Sequence, residues 1–414
     1  MSKFATFSLL LVVALDVMGQ GVVIPVITTL LLDEKETFLP QDTPENTRQT
    51  YFGIAMGAFF FSWFLGAAYI AKLSDFIGRK QGILICLSGA FLGYVLLIVS
   101  LYLNSFPILV ASRILTGFTA GNQPIAQAAL VDASTSESQK TKFMGLILVA
   151  VSVGLVLGPS LGGVLSDHSI LGKFASEQLP FYGAGALILS NILLIILFFH
   201  NLNFERRPVT IKITDVFLTL YHAAKRPVVR KLSIVFFCSQ LALNSFFVFL
   251  NNYLLRRFNF DTLQNSIVLI IFGVVMALAS AFLVTPFTNR FTKKQVVSGS
   301  ILTMTAGLIL FLANPIPNLA YLSIVPFVAA FGVNYPVMLT FFSLSVSEKE
   351  QGWVMGVTVA LYTLGAGLVS LLGGSLMALS IRIPFYIAIG SLILATLLVS
   401  LLWRTPDFDD QSPS

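Results

Sequence analysis

The chain is short of charge. Of its 414 residues only 11% are Asp, Glu, Lys or Arg, against about 25% in a soluble globular protein. A soluble chain of this length needs far more polar surface to cover its core. Cysteine occurs twice, at Cys86 and Cys238, both inside apolar runs, which leaves neither a disulfide framework nor a thiolate zinc site. The three histidines, His168, His200 and His222, fall at the ends of apolar segments, where an interfacial position is a simpler reading than a metal or catalytic one. The net charge of +6 comes from short Lys/Arg clusters between apolar runs, not from a continuous basic face, so nucleic acid is not an expected partner. What is abundant is apolar: 56% of the residues are hydrophobic and 37 are Phe. The apolar segments are continuous, not alternating, which excludes a transmembrane β-barrel. The composition describes an integral membrane protein.

A membrane-spanning helix takes about 20 mostly apolar residues. Twelve segments qualify: 4–32, 50–71, 81–103, 106–130, 142–165, 180–201, 230–255, 264–286, 295–313, 318–344, 351–379 and 383–403. The first reads as a retained span, because it is too long for a signal peptide and carries Asp16, Gly19 and Pro25. With the N-terminus inside, six of the 25 Lys and Arg (Lys35, Arg48, Lys173, Arg256, Arg257, Arg382) fall on the outer side. Arg113 lies within a span, and the other 18 mark the inner side. Because cytoplasmic loops carry the excess of Lys and Arg, both termini are expected in the cytoplasm of a cell inner-membrane protein. The expected fold is all-α: 12 transmembrane helices in two pseudo-symmetric six-helix bundles, residues 1–203 and 230–404, with a cytoplasmic linker at 204–229 and a tail at 405–414. In the linker Ile213, Val216, Phe217, Leu220 and Ala224 recur at helical spacing behind Thr214 as a candidate N-cap. They predict a short amphipathic helix on the inner membrane surface; a linker without regular structure is the alternative. The loop 33–49, with Asp33, Glu34, Glu36, Asp42 and Glu45, reads as a solvated outer loop.

The halves carry traces of a duplication. Gly78-Arg79-Lys80-Gln81 after the second span matches Thr292-Lys293-Lys294-Gln295 after the eighth, and Gly154 and Gly162-Gly163 in the fifth match Gly365 and Gly373-Gly374 in the eleventh. The second copy is degenerate: Asn289 stands where Asp75 stands, and Val369-Ser370 replaces Gly158-Pro159. Repeated units of this kind are a common transporter plan, with the substrate site near the bilayer midplane at the repeat interface. In the fourth span Arg113, Gly117 and Gly121 share one helix face; the glycines allow close approach and the arginine points into the bundle. In the fifth, Ala150, Gly154, Gly158 and Gly162 form a smooth stripe beside the kinking Pro159.

These segments resemble the major facilitator superfamily, specifically its twelve-helix drug:proton antiporter branch. Lys72-Leu73-Ser74-Asp75-Phe76-Ile77-Gly78-Arg79-Lys80 resembles the family's loop signature D-x-x-G-R-K, with Ala71 where glycine is usual. The resemblance implies a gate latch of Asp75, Gly78, Arg79 and Lys80, with Asp75 at the N-terminus of the eleventh span and Arg79 reaching Asp132. The span-four string resembles a motif linked to proton coupling through its arginine. The string Gly154-x-x-x-Gly158-Pro159-x-x-Gly162-Gly163 resembles the motif that marks exporters exchanging substrate for protons, and generic helix packing is its direct physical role in either case. Asp16 to Gly21 with Ile24-Pro25-Val26, Glu350-Gln351-Gly352, Gln240 and Asn244 are similar to the tetracycline-efflux group. Acidic residues of that group in spans three and nine have no counterpart here, which puts tetracycline itself and a multi-carboxylate relay in doubt.

Asp16 is the one acidic residue deep in a span, about 18 Å from the inner end at ~1.5 Å per residue. That leaves about 12 Å to the other face of a ~30 Å core. Arg113 lies at a similar depth, about 10 Å from the outer side, which suggests a proton-coupling neighbourhood of Asp16 and Arg113. A buried structural ion pair is the competing reading. Polar residues in apolar helices (Gln20, Asn122, Gln123, Gln127, Gln240, Asn244, Asn251, Asn334, Tyr335, Tyr362) are candidate substrate contacts, each equally open to helix–helix hydrogen bonding. The expected function is secondary transport: proton-coupled efflux of a small amphipathic compound or drug by alternating access. It needs no cofactor beyond the proton gradient, and its partners are substrate, protons and membrane lipids around a monomer. An importer of a siderophore or other polar metabolite is the alternative, and a non-transporting receptor a remote one. No His–Glu metal cluster or nucleophile–base pair suggests an enzyme.

Overall fold

The computed structural model describes residues 3–134, 137–200, 214–347 and 350–403. Contacts divide the chain into two compact units, Met1–Val216 with Asn259–Ile270, and Phe217–Phe258 with Ile271–Ser414. In chain order the helices are α1 (Lys3–Leu32), α2 (Glu45–Ile77), α3 (Arg79–Tyr102), α4 (Phe106–Phe118), α5 (Asn122–Asp132), α6 (Glu137–Ser166), α7 (His168–Leu171) and α8 (Leu179–Phe198). They continue as α9 (Asp215–Lys225), α10 (Pro227–Phe258), α11 (Thr262–Phe282), α12 (Val284–Arg290), α13 (Lys293–Ala313), α14 (Ala320–Ser323), α15 (Val325–Leu344), α16 (Gln351–Leu379) and α17 (Ile383–Leu402). No β-strand occurs among the described residues.

Among the described residues, eleven stretches are long and apolar enough to cross a membrane. The remaining expected span, the fourth at 106–130, corrects the reading of a continuous helix: it is broken into α4 and α5 at Thr119–Gly121. Pro124 is the physical cause, since it has no N–H and its ring clashes with the carbonyl four residues back, at Ala120. It sits instead in the first turn of α5, where a proline is tolerated. Gly117 and Gly121, poor helix formers, flank the break.

The first unit is held together by close backbone approach. A methyl group on Gly154, Gly158 or Gly162 of α6 would meet the carbonyl oxygens of Ala14, Met18 or Val22 on α1, and one on Gly21 would meet Pro159. On α4, Gly117 lies against the Phe59 carbonyl of α2, while Gly66 of α2 lies against the Phe118 carbonyl. The stripe read from the sequence is therefore the α1–α6 seam. The second unit has such approaches too, since a methyl on Gly307 would meet the Phe327 N and one on Gly332 the Met276 carbonyl, and it adds an aromatic cluster. The Phe246 ring centroid lies 4.4 Å from that of Phe327 and 5.3 Å from that of Phe311, and Tyr253 lies 5.0 Å from Phe385. Gly373 of α16, the counterpart of Gly162, faces the ring of Phe249 on α10 instead of a carbonyl. At this one position a ring takes the place of the backbone contact that Gly162 makes.

The loop after α2 turns at Gly78, whose φ of 105° favours glycine. Its counterpart in the second half is a capping box: Thr292 Oγ1 accepts from Gln295 N at 3.2 Å, and Thr292 N donates to Gln295 Oε1 at 3.0 Å. The amphipathic helix of the linker is α9, beginning at Asp215; Ile213 lies outside the described residues. Its buried side is Val216 and Ala223, whereas Phe217, expected on that side, is exposed. Lys72, at the end of α2, pairs with Asp215 at 2.7 Å.

The seam sets a first test. Gly154→Val should cost about 1–3 kcal/mol through overpacking against α1 and lower the melting temperature in detergent by several degrees. Gly145→Ala, on the same helix with nothing within 4 Å of the added methyl, should leave it unchanged; equal behaviour of the two would remove the seam from the account.

Candidate functional site

The break in the fourth span frees the backbone N–H groups at the start of α5 from helical partners. One of them is met from another helix: Asp16 Oδ2 on α1 accepts from Gln123 N at 3.3 Å. Gln123 is the second residue of α5, the position an N-cap side chain serves, so α1 supplies the cap. The Asn122 amide lies beside the same carboxylate. The glycine stripe that draws α6 onto α1 brackets Asp16, because two of the three α1 carbonyls it touches are those of Ala14 and Met18.

Arg113 does not pair with Asp16. Its guanidinium lies 4.3 Å from the centroid of Phe59, it is 4% exposed, and its Nε has no hydrogen-bond partner among the described residues. The close α2–α4 crossing at Gly117 presents Phe59 to it. Asp16, Gln20, Arg113, Phe59, Tyr94 and Thr116 do line one internal cavity of about 40 Å³. That is room for a water or two, not for a drug-sized molecule. Phe59 and Tyr94 were invisible as site residues in the sequence, since an aromatic in an apolar span carries no polar signal. Gly19 was the available clue: a methyl there would lie 2.9 Å from the Tyr94 hydroxyl.

In the second unit the α10 amides are deeply buried. Gln240 Oε1, Asn244 Oδ1 and both amide atoms of Asn251 have no hydrogen-bond partner among the described residues. Asn244 Nδ2 donates to the Tyr362 carbonyl at 3.3 Å. Asn334 is a helix–helix contact, donating to Ser300 Oγ at 2.8 Å, and the Tyr335 ring packs against Phe331 and Phe236. The Gln127 side chain is half-buried on α5.

At the end of the first unit where α2 meets α3, Arg79 pairs with Asp75 at 2.6 Å and donates to Ser74 Oγ at 3.0 Å. Lys80 donates to the Ile196 carbonyl in the last turn of α8 at 2.8 Å. The side chain of Asp132, the expected partner of Arg79, lies outside the described residues. At the opposite end, Arg48 of α2 is fully buried, with its guanidinium directed at the carbonyls of Leu31, Asp33, Pro40 and Thr43. On that end burial, the Glu36 carboxyl it hydrogen-bonds and nearby Asp33 push Glu177 up to about 8.

The model of the Major Facilitator Superfamily matches residues 9–283 and 232–414. The chain belongs to that superfamily. It is 29% identical to the class C tetracycline resistance protein of Escherichia coli, over 88% of this chain and 87% of that one. It is 26% identical to the quinolone resistance protein NorA of Staphylococcus aureus over 90% of each. Among solved structures, the human organic anion transporter MFSD10 (TETRAN) matches with TM-score 0.71 at 22% identity, covering 96% of this chain and 99% of that chain. A D-xylose-proton symporter matches with TM-score 0.73 at 18% identity, over 99% and 100%. This superfamily member is a multi-pass membrane transporter of a small molecule, not an enzyme.

The raised Glu177 makes stability depend on pH. The folded protein holds this proton more tightly than an unfolded glutamate with its ordinary value of 4.5, so the stabilisation is complete below about pH 4.5 and is lost as pH rises toward 8. Glu177→Gln should match wild type at pH 4.5 and melt a few degrees higher at pH 9. Parallel curves for the two proteins would show that this carboxyl does not carry the dependence.

Proposed function

We propose that the chain exports a small amphipathic, drug-like compound across the cytoplasmic membrane in exchange for protons, by alternating access. In this reading both termini face the cytoplasm, the chain works as a monomer and Asp16 is the proton carrier. The observation that carries it is the Asp16 carboxylate capping α5 from α1. The N-terminus of a helix carries about half a positive charge, which favours an anion there, and the more so in a low-dielectric site. Protonation removes the negative charge and weakens the cap, so that α5 is released from α1 around the break at Thr119–Gly121. One proton then changes the position of half a membrane helix, the kind of discontinuous element on which transporters build coupling.

Arg113 contributes a second charge to the same water-sized cavity, where its guanidinium responds to the state of Asp16. The cavity's size supports separate places for proton and cargo. The cargo is read as contacting the amides of α10, where Gln240 and Asn244 offer free acceptors and Asn251 both a donor and an acceptor. The inner gate is read as the loop of Asp75, Gly78, Arg79 and Lys80 with Asp132, the last residue of α5, which joins the gate to the helix that Asp16 holds. Similarity to two drug-resistance proteins over most of the chain supports export.

The test is flux in liposomes under an imposed pH gradient, with a fluorescent quinolone and a panel of cationic dyes. Wild type should move at least one of these against the proton flow. Asp16→Asn should lose pH-driven accumulation tenfold or more while keeping downhill substrate exchange, because the Asn oxygen can still accept from Gln123 N. Full pH-driven accumulation by Asp16→Asn would overturn the coupling role. Movement of substrate in the same direction as the proton would overturn export.

A further inference from the structure

A second polar site lies in the other unit, where the end of α9 meets the start of α16. His222, Lys225 and Arg226 surround an open cavity of about 480 Å³ with Glu350 and Trp353. Arg226 Nη2 donates to Glu350 Oε1 at 2.5 Å, and its guanidinium lies 4.6 Å from the Trp353 ring centroid. Both oxygens of Glu350 are engaged, because the second accepts from Ser347 Oγ at 2.9 Å. The Arg226 and Ser347 hydrogen bonds hold Glu350 well below the usual carboxylate range, at about 2, so the carboxylate stays ionised and neutralises one cation at any physiological pH. Lys225 is left over. Its ammonium sits 4.4 Å from the Tyr221 ring centroid and pairs with no carboxylate among the described residues.

The apolar part of the same helix is ordered relative to these cations. Phe217, Tyr221 and Lys225 follow one another at steps of four, on one line along α9, with Leu218 and His222 on the neighbouring line. Phe217, Leu218 and Tyr221 are 55%, 50% and 54% exposed, while Val216 and Ala223 on the other side are buried. A helix with an exposed apolar row and cations at one end, in a membrane protein, fits an amphiphile whose tails lie along the row and whose anionic head meets the cations. Aromatic rings flanking that head are typical of the membrane–water interface.

We propose that the α9–α16 corner is a binding site for an anionic phospholipid, with the headgroup phosphate between Lys225, Arg226 and Trp353 and the acyl chains along Phe217, Leu218 and Tyr221. The phosphate meets Lys225 as a point charge and Arg226 through the guanidinium donors that Glu350 leaves free. The site does not depend on what the transporter carries or in which direction.

The experiment uses full-length protein in detergent, titrated with phosphatidylglycerol or phosphatidylcholine brominated on the acyl chains, with quenching of tryptophan fluorescence as the readout. Subtracting the signal of Trp353→Phe isolates Trp353 from Trp63 and Trp403. Half-maximal quenching of Trp353 should need several-fold less phosphatidylglycerol than phosphatidylcholine. Lys225→Gln should weaken the phosphatidylglycerol response about fivefold without changing the phosphatidylcholine response, and Lys225→Arg should restore it. Lys225 is exposed, and an unchanged melting temperature for Lys225→Gln separates lost binding from lost folding. Equal quenching by the two lipids, or a Lys225→Gln protein that still prefers phosphatidylglycerol, would overturn the site. Displacement of the brominated lipid by millimolar inorganic phosphate would reassign it to a soluble phosphate compound.

Discussion

A backbone N–H in the hydrocarbon of a bilayer has no water to turn to, and each one left unpaired costs several kcal/mol. Unbroken helices satisfy the rule by themselves, which is why eleven stretches of this chain can be described as simple spans. The fourth span cannot, because Pro124 interrupts it in mid-membrane. Something from outside the helix must meet the exposed start of α5, and Asp16 does so. The tight α1–α6 seam holds α1 where the Asp16 carboxylate can meet that requirement.

Once the carboxylate is a cap, its chemistry and its mechanics are the same event. An anion at a helix N-terminus is stabilised by the helix, and a neutral acid is held less firmly. A proton arriving at Asp16 therefore acts on the hold between α1 and α5, not only on a local charge. Arg113, lying over the Phe59 ring, adds charge to the same small cavity without pairing with Asp16. Had the two formed an ion pair, the acid would have been locked ionised and the α5 terminus left unmet.

The two units reach comparable helix packing by partly different means. The first uses glycine against carbonyl, a rigid contact in which a single methyl group is intolerable. The second keeps such contacts at Gly307 and Gly332, but at Gly373 the ring of Phe249 stands where the first unit has a carbonyl, and Phe246, Phe311, Phe327 and Phe385 form an aromatic cluster. On α10 the second unit has Gln240, Asn244 and Asn251 buried without full partners among the described residues, which is uncommon for buried amides.

Much of this was legible in the sequence, because composition and periodicity act locally. Charge scarcity gave the membrane, apolar length gave the spans, and the spacing of Gly154, Gly158 and Gly162 gave a smooth helix face. The residues to test, Asp16 and Arg113, stood out as charges in apolar runs. What the sequence could not decide was pairing. Depth placed Asp16 level with Arg113, yet helix rotation and the Pro124 break turned the carboxylate toward a backbone amide of α5, and Gly117 brought Phe59, not an acid, to the arginine. Arg48, counted from the sequence as a loop cation, is buried on four carbonyls for the same reason. A one-dimensional pattern fixes how far along a helix a residue lies, whereas its partner depends on which helices cross, at what angle, and how near glycine lets them come.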